Sequence, residues 1–243
     1  MGTITVKQIG HAIYSIPAFD ENYLFSLPSL HIEGLIFGSP FVELDGRTYI
    51  TSSSGFTAKI EYSGKGWFSG TKNSFVATMY PTGEESEILY TISGQWTKSF
   101  GIYEGSSKHG TLIEIYDAEA TAITPLIVAP IEEQDPLESR RAWAKVAAGI
   151  AKGDMDYTGV EKSKIENEQR ALRQKEQAEG RTWERRYFSQ VESDPILDKL
   201  GPVIGLSPEA DKTGGIWRFD GKKAEIAREK PSGGAKEAEL EYN

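Results

Sequence analysis

The chain has 243 residues, 27 Lys and Arg against 36 Asp and Glu, a formal net charge of -9 and no cysteine. That balance argues against a general nucleic-acid binder, since neutralising phosphates takes clustered cations; the missing cysteine excludes a disulfide framework, thiol catalysis and cysteine-held metal, and His11, His31 and His109 are too scattered for a metal site, so no cofactor is expected. No stretch reaches the ~18 consecutive apolar residues that cross a bilayer and the start lacks a secretory pattern, so the reading is a globular, soluble, cytoplasmic chain.

From residue 3 to about residue 116, β-branched and aromatic residues are broken every eight to twelve positions by Gly, Pro, Ser or Asn, which is the pattern of an all-β meander. The predicted strands cover residues 3–14, 29–37, 41–44, 48–51, 56–62, 66–68, 74–80, 88–96 and 112–116. Asp45-Gly46 and Ser63-Gly64 read as turns, the first as a hairpin signal. Alternation in Leu30-His31-Ile32-Glu33 sends Leu30 and Ile32 to one face and turns His31 and Glu33 to solvent. So many strands must pair into a sandwich or curl closed, because an open sheet leaves adhesive edges.

After residue 121 the character changes. Asp135-Pro136 reads as an N-cap and first helical residue, opening a helix with Leu137, Trp143, Val146, Ala147 and Ile150 on one stripe and stopping near Gly153. A longer, highly charged helix is expected from about residue 159 to 179, ended by Gly180. Residues 183–188 and 216–219 are short aromatic-basic segments that read as packing clips, separated by a weakly patterned stretch, and the tail from 231 is polar and low in complexity. The fold class is mainly β with a helical C-terminal part: strands over 1–120, helices over 121–230, a frayed tail over 231–243.

Several segments together resemble the ligand domain of the oxysterol-binding protein-related family, notably its short yeast-type members. They are Leu30-His31-Ile32-Glu33-Gly34, Ser39-Pro40-Phe41-Val42-Glu43-Leu44, Tyr62-Ser63-Gly64-Lys65-Gly66, Phe68-Ser69-Gly70 and Tyr90-Thr91-Ile92-Ser93-Gly94-Gln95-Trp96. Asp135-Pro136-Leu137-Glu138-Ser139-Arg140 with Trp143, Glu168-Gln169-Arg170, and Trp183 with Arg185-Arg186-Tyr187-Phe188 complete the set. The resemblance implies a large, near-complete antiparallel β-barrel around a hydrophobic tunnel. Such a tunnel carries a sterol, or alternatively phosphatidylinositol 4-phosphate, between membranes in a cytoplasmic protein that touches membrane surfaces transiently. Leu30, Ile32, Leu35, Pro40 and Val42 resemble tunnel-wall positions, and Gln8 matches a glutamine near the sterol hydroxyl. Without the resemblance they are sheet-core residues and an exposed amide. Lys162, Glu166 and Arg170 stand four apart on one helix stripe and match a headgroup-binding trio; on spacing alone they are an exposed ion-pair ladder.

The family's amino-terminal portion, with its lid helix, leucine-rich loop and His-His-Pro-Pro signature, is read as missing: none of the three histidines is adjacent to another. A truncated carrier and a naturally short member both fit. Either way phosphoinositide exchange is expected to be weakened, and an open flank would expose apolar surface and strand edges that favour a homodimer. The competing reading is an isomerase or cyclase acting on a terpenoid or polyketide intermediate, with His31, Glu33, Glu43 and Asp45 as its acid-base candidates. No dinucleotide or Walker loop and no Gly-x-Ser-x-Gly elbow is present.

Overall fold

The computed structural model describes residues 4–34, 40–64, 70–207 and 214–229. It divides into two compact units: residues 1–123 with 190–217, and residues 124–189 with 218–243. Residues 190–217, read from the sequence with the helical part, thus cluster with the strands.

The first unit is built on a ten-stranded antiparallel sheet. Its strands are β1 (Ile4–Lys7), β2 (His11–Ile16), β3 (Glu21–Ser26), β4 (Ser29–Glu33), β5 (Phe41–Ser52), β6 (Phe56–Ser63), β7 (Ser74–Pro81), β8 (Tyr90–Gln95), β9 (Ser99–Glu104) and β10 (Leu112–Asp117). The main path runs β1-β4-β5-β6-β7-β8-β9-β10, and β2 pairs with β3, which pairs with β5. Among the described residues β1, β2 and β10 each have one strand neighbour, so the sheet stays open.

The structure corrects three strand expectations. The stretch 3–14 is two strands, because Gly10 takes φ 104 between them. Asp45-Gly46 is no hairpin: β5 runs straight through, pairing with β4 over Phe41–Asp45 and with β6 over Gly46–Thr51. Gly46 uses its positive φ of 84° inside a long strand, where glycine more often marks a bend or bulge than a turn. Two strands escaped the reading, β3 and β9. In β9, Gly101 breaks the β-branched pattern because a side chain there would collide with the Tyr103 ring, 2.7 Å from its hydroxyl. The predicted strand 66–68 lies outside the described residues.

The core of this unit joins residues far apart in the chain. Leu24 of β3 is fully buried and clusters with Leu197 and Leu200 of a short helix, α4 in chain order (Pro195–Leu200), and with Ile216. Ile13, Val191, Ile196, Ile204 and Leu206 pack around them. Asp194 starts α4 by accepting hydrogen bonds from the Ile196 and Leu197 amides at 2.8 and 3.2 Å, with Pro195 in the first turn, where its missing N–H does no harm.

The second unit contains α1 (Ser139–Ala142), α2 (Ala144–Lys152), α3 (Met155–Ala178) and α5 (Gly221–Glu229). The single helix expected after Asp135 is therefore two short ones, broken at Trp143 (φ -101°, ψ 8°). Asp135 caps a turn rather than the helix, its carboxylate accepting from the Leu137 amide at 2.9 Å. Gly153 ends α2 at φ 72°, as expected. Helix α3 begins earlier than its charge pattern suggested, because Asp154 accepts from the Tyr157 amide and caps it. The two aromatic-basic segments contribute β11 (Phe188–Val191) and β12 (Ile216–Phe219), which pair with each other. Among the described residues no helix is long and apolar enough to cross a membrane.

Candidate functional site

Strand pleating places every second side chain on one face, and directly opposed residues of antiparallel neighbours share it. Across β1, β4 and β5 the register aligns Ile4 with Ile32 and Val42, and Val6 with Leu30 and Leu44. The result is two adjacent apolar rows. Ile4, Val6 and Val42 keep 50%, 42% and 42% of their surface exposed, and Leu30, Ile32 and Leu44 are half-buried. Contiguous apolar surface left to water on a sheet face is the mark of a surface awaiting a partner or ligand.

The structure thus brings Leu30, Ile32 and Val42 together on one wall. Pro40 is exposed just ahead of β5, and Leu35 lies outside the described residues. Gln8 sits half-buried between β1 and β2, its Nε2 donating to the Pro28 carbonyl at 3.0 Å, so its amide oxygen remains as an acceptor. Ile4, Val6 and Leu44 were not anticipated, although alternation in Ile4-Thr5-Val6-Lys7 and Val42-Glu43-Leu44 carries the signal.

The alternate face of the same strands is polar and partly closed, where solvent exposure was expected. Thr5 Oγ1 and His31 Nδ1 lie 3.1 Å apart, His31 Nε2 is 3.2 Å from the Asp45 carboxylate, and Glu43 is buried, accepting from the Asn73 amide at 2.8 Å. Glu33 is half-buried. Each of His31, Glu43 and Asp45 is engaged with neighbouring protein groups.

A second apolar stretch, also unforeseen, spans β5 to β9. Thr48, Ile60, Ala77, Ile92 and Ile102 form one rung, and Phe75, Phe100 and Tyr116 continue a neighbouring one. The rings interlock, Phe75 edge-on to Phe100 at 5.6 Å and Phe100 stacked on Tyr116 at 5.1 Å. The reverse face carries ion pairs between Arg47 and Glu61 at 2.6 Å and between Lys59 and Glu85 at 2.5 Å. The Lys59 hydrogen bond holds the Glu85 carboxyl below its ordinary range.

In the second unit, α3 projects Lys162, Glu166 and Arg170 along one exposed stripe. Lys162 Nζ donates to Glu166 Oε1 at 2.5 Å, and Arg170 reaches the other oxygen at 3.6 Å while donating to Asn167 at 2.8 Å. The hydrogen bond from Lys162 depresses the Glu166 pKa, with the charge of Arg170 assisting. The spacing therefore makes an ion-pair ladder whose carboxylate already engages both cations.

The unit's two Asp- and Arg-bearing motifs meet in one pair: Arg186 lies 3.0 Å from the Asp135 carboxylate and also donates to the Ala227 carbonyl at 3.0 Å. Arg141 donates to the Gln134 carbonyl at 2.7 Å. Trp143 and Trp183, further motif residues, line a cleft of about 520 Å³ against Ile165 and Leu172 of α3.

The family model described as oxysterol-binding protein matches residues 1–149. The chain belongs to the oxysterol-binding protein family. Across 231 residues it is 41% identical to a probable transporter, efuK, of Hormonema carpetanum, covering 93% of this chain and 33% of that one. To Protein kes1 of Schizosaccharomyces pombe it is 41% identical over 193 residues, 79% of this chain and 50% of the relative. It thus spans between a third and a half of these two relatives' lengths. Two solved domains share the fold: that of Osh1 in complex with cholesterol (TM-score 0.57, 16% identity, 86% of this chain and 51% of that one) and that of Osh3 from Saccharomyces cerevisiae in complex with PI(4)P (TM-score 0.58, 18% identity, 93% and 57%).

Proposed function

We propose that this chain binds a sterol or similar apolar lipid against the β1-β4-β5 wall and belongs to a carrier that moves it between membranes. The observation that carries this reading is the double apolar row of Ile4, Ile32 and Val42 beside Val6, Leu30 and Leu44, left open to water on one face. Covering a half-exposed aliphatic side chain with a lipid contributes on the order of 1 kcal/mol, so six such residues give a rigid hydrophobic molecule a real foothold. Solved relatives of the same fold hold cholesterol or PI(4)P, which supports a lipid as the occupant. Gln8 lies ahead of β2 with an acceptor to spare for a hydroxyl.

Phosphoinositide exchange is weak or lost in this reading. Lys162 and Arg170 share the Glu166 carboxylate, which leaves both cations already engaged. Transient contact with a membrane surface and pairing with a second copy through the open flank belong to the same proposal. No observation favours the isomerase or cyclase alternative.

The test is extraction of labelled sterol and labelled phosphatidylinositol 4-phosphate from liposomes, side by side. Sterol should leave the vesicles in proportion to added protein, with phosphoinositide extraction at least tenfold lower. Efficient phosphoinositide extraction would sink the proposed selectivity.

A further inference from the structure

We propose that the cleft beside α3 binds the phosphocholine headgroup of a lipid. Its residues all belong to the second unit, so the proposal goes beyond the sterol reading and stands apart from the β1-β4-β5 wall.

Helix α3 supplies one side of the cleft. Ile165, Gln169, Leu172, Arg173 and Glu176 recur at i, i+4, i+7, i+8 and i+11, so the helix aligns them on one stripe. Leu137, Trp143 and Trp183 reach the same cleft from three other places in the chain: the turn that Asp135 caps, the break between α1 and α2, and the segment before β11. Both indole side chains are open to water, Trp143 at 41% and Trp183 at 52%. The volume of about 520 Å³ suits a small ligand.

The charges in the cleft select that ligand. Elsewhere on α3, Glu161 pairs with Lys164, and Glu166 with Lys162 and Arg170. Arg173 and Glu176 have the same spacing as Glu161 and Lys164. Yet among the described residues neither side chain has an ion pair or a hydrogen bond, and Glu176 is half-buried. A guanidinium and a half-buried carboxylate, both unpaired beside two tryptophans, complement a ligand that carries both signs. A simple anion would meet Glu176, and a simple cation would meet Arg173. Phosphate suits Arg173, whose fork donates to two oxygens at once. The positive end has to suit two indoles and one carboxylate. A quaternary ammonium has no N–H to hydrogen-bond, and its methyl-covered charge is drawn to tryptophan faces. Side chains three apart on a helix lie about 5–6 Å apart at Cβ, the scale of the two-carbon bridge between phosphate and ammonium in phosphocholine.

Isothermal titration of the unaltered chain with soluble phosphocholine tests the site. Binding should be saturable at ~1 mM or tighter, with phosphoethanolamine and inorganic phosphate at least tenfold weaker. Arg173→Gln should weaken phosphocholine binding at least tenfold, and Trp183→Leu should bring phosphocholine down to the level of phosphoethanolamine. Circular dichroism checks that each variant is folded, and the result for the unaltered chain stands without them. The proposal is overturned by no saturable binding, by phosphoethanolamine binding as tightly as phosphocholine, or by a folded Arg173→Gln that binds phosphocholine as before. Flotation with phosphatidylcholine vesicles tests the source of the group: the chain should float, and soluble phosphocholine should release it. Binding of the soluble compound without flotation would assign a free phosphocholine ester and overturn the lipid as occupant. No sterol enters either assay, so a chain that binds sterol and ignores phosphocholine refutes this inference alone.

Discussion

Asp135 and Arg186 face each other at 3.0 Å with only 4% and 19% of their side chains exposed. Removing one member of such a pair leaves the other charge buried and uncompensated, typically a loss of about 3–5 kcal/mol. Arg186→Ala should lower the unfolding free energy of the second unit, read from urea denaturation, by that order and its midpoint accordingly, and Arg186→Lys should recover only part, because an ammonium lacks the fork that reaches both the carboxylate and the Ala227 carbonyl. An unchanged midpoint in Arg186→Ala would mean the pair is not structural. Glu166 behaves differently, being exposed. Its folded pKa is depressed by Lys162, so its stabilising contribution is complete above the ordinary carboxylate pKa of about 4.3 and disappears as pH falls through the lower folded value. Helicity of α3 followed by circular dichroism should hold through the ordinary carboxylate range as pH falls and be lost only below it, with Lys162→Gln moving the loss to higher pH. The α3 ladder was legible in the sequence because i, i+4 spacing is a property of the helix itself. The Asp135–Arg186 pair was not, since no periodicity links residues so distant in the chain.

Strands and helices show the same division between local and long-range signals. Alternation exposed β4 and its apolar face, and Gly153 marked the end of α2, because both follow from one turn or one pleat of backbone. Asp45-Gly46 misled, since a glycine with positive φ serves a bend inside β5 as well as it serves a hairpin, and only the partners β4 and β6 decide between them. The stretch holding α4 looked weakly patterned for a similar reason. Its Leu197 and Leu200 face Leu24, whose strand comes far earlier, so the apolar face is spread over two segments and neither shows a full period. Leu24→Ala should therefore destabilise the first unit by about 2–5 kcal/mol in urea unfolding, as deletion at the centre of a filled core does. A loss below ~1 kcal/mol would indicate that α4 contributes little to that unit.

At the scale of the whole molecule, family membership was readable because motifs recur in order along the chain, and the match to residues 1–149 bears it out. The mainly β fold with helices after it was readable too. The extent of the candidate wall was not: Ile4, Val6 and Leu44 join Leu30, Ile32 and Val42 only once strand register is known, since register is a property of pairs of strands. The account stands on that wall holding an apolar lipid. It is tested most directly by titrating the protein with a fluorescent sterol, comparing the unaltered chain with Ile32→Glu at the centre of the rows and with Glu33→Gln as a control next to it. The account predicts saturable binding by the unaltered chain and by Glu33→Gln, weakened at least tenfold, or about 1.4 kcal/mol, in Ile32→Glu. Saturable binding that Ile32→Glu leaves untouched, or no saturable binding by the unaltered chain, would contradict it.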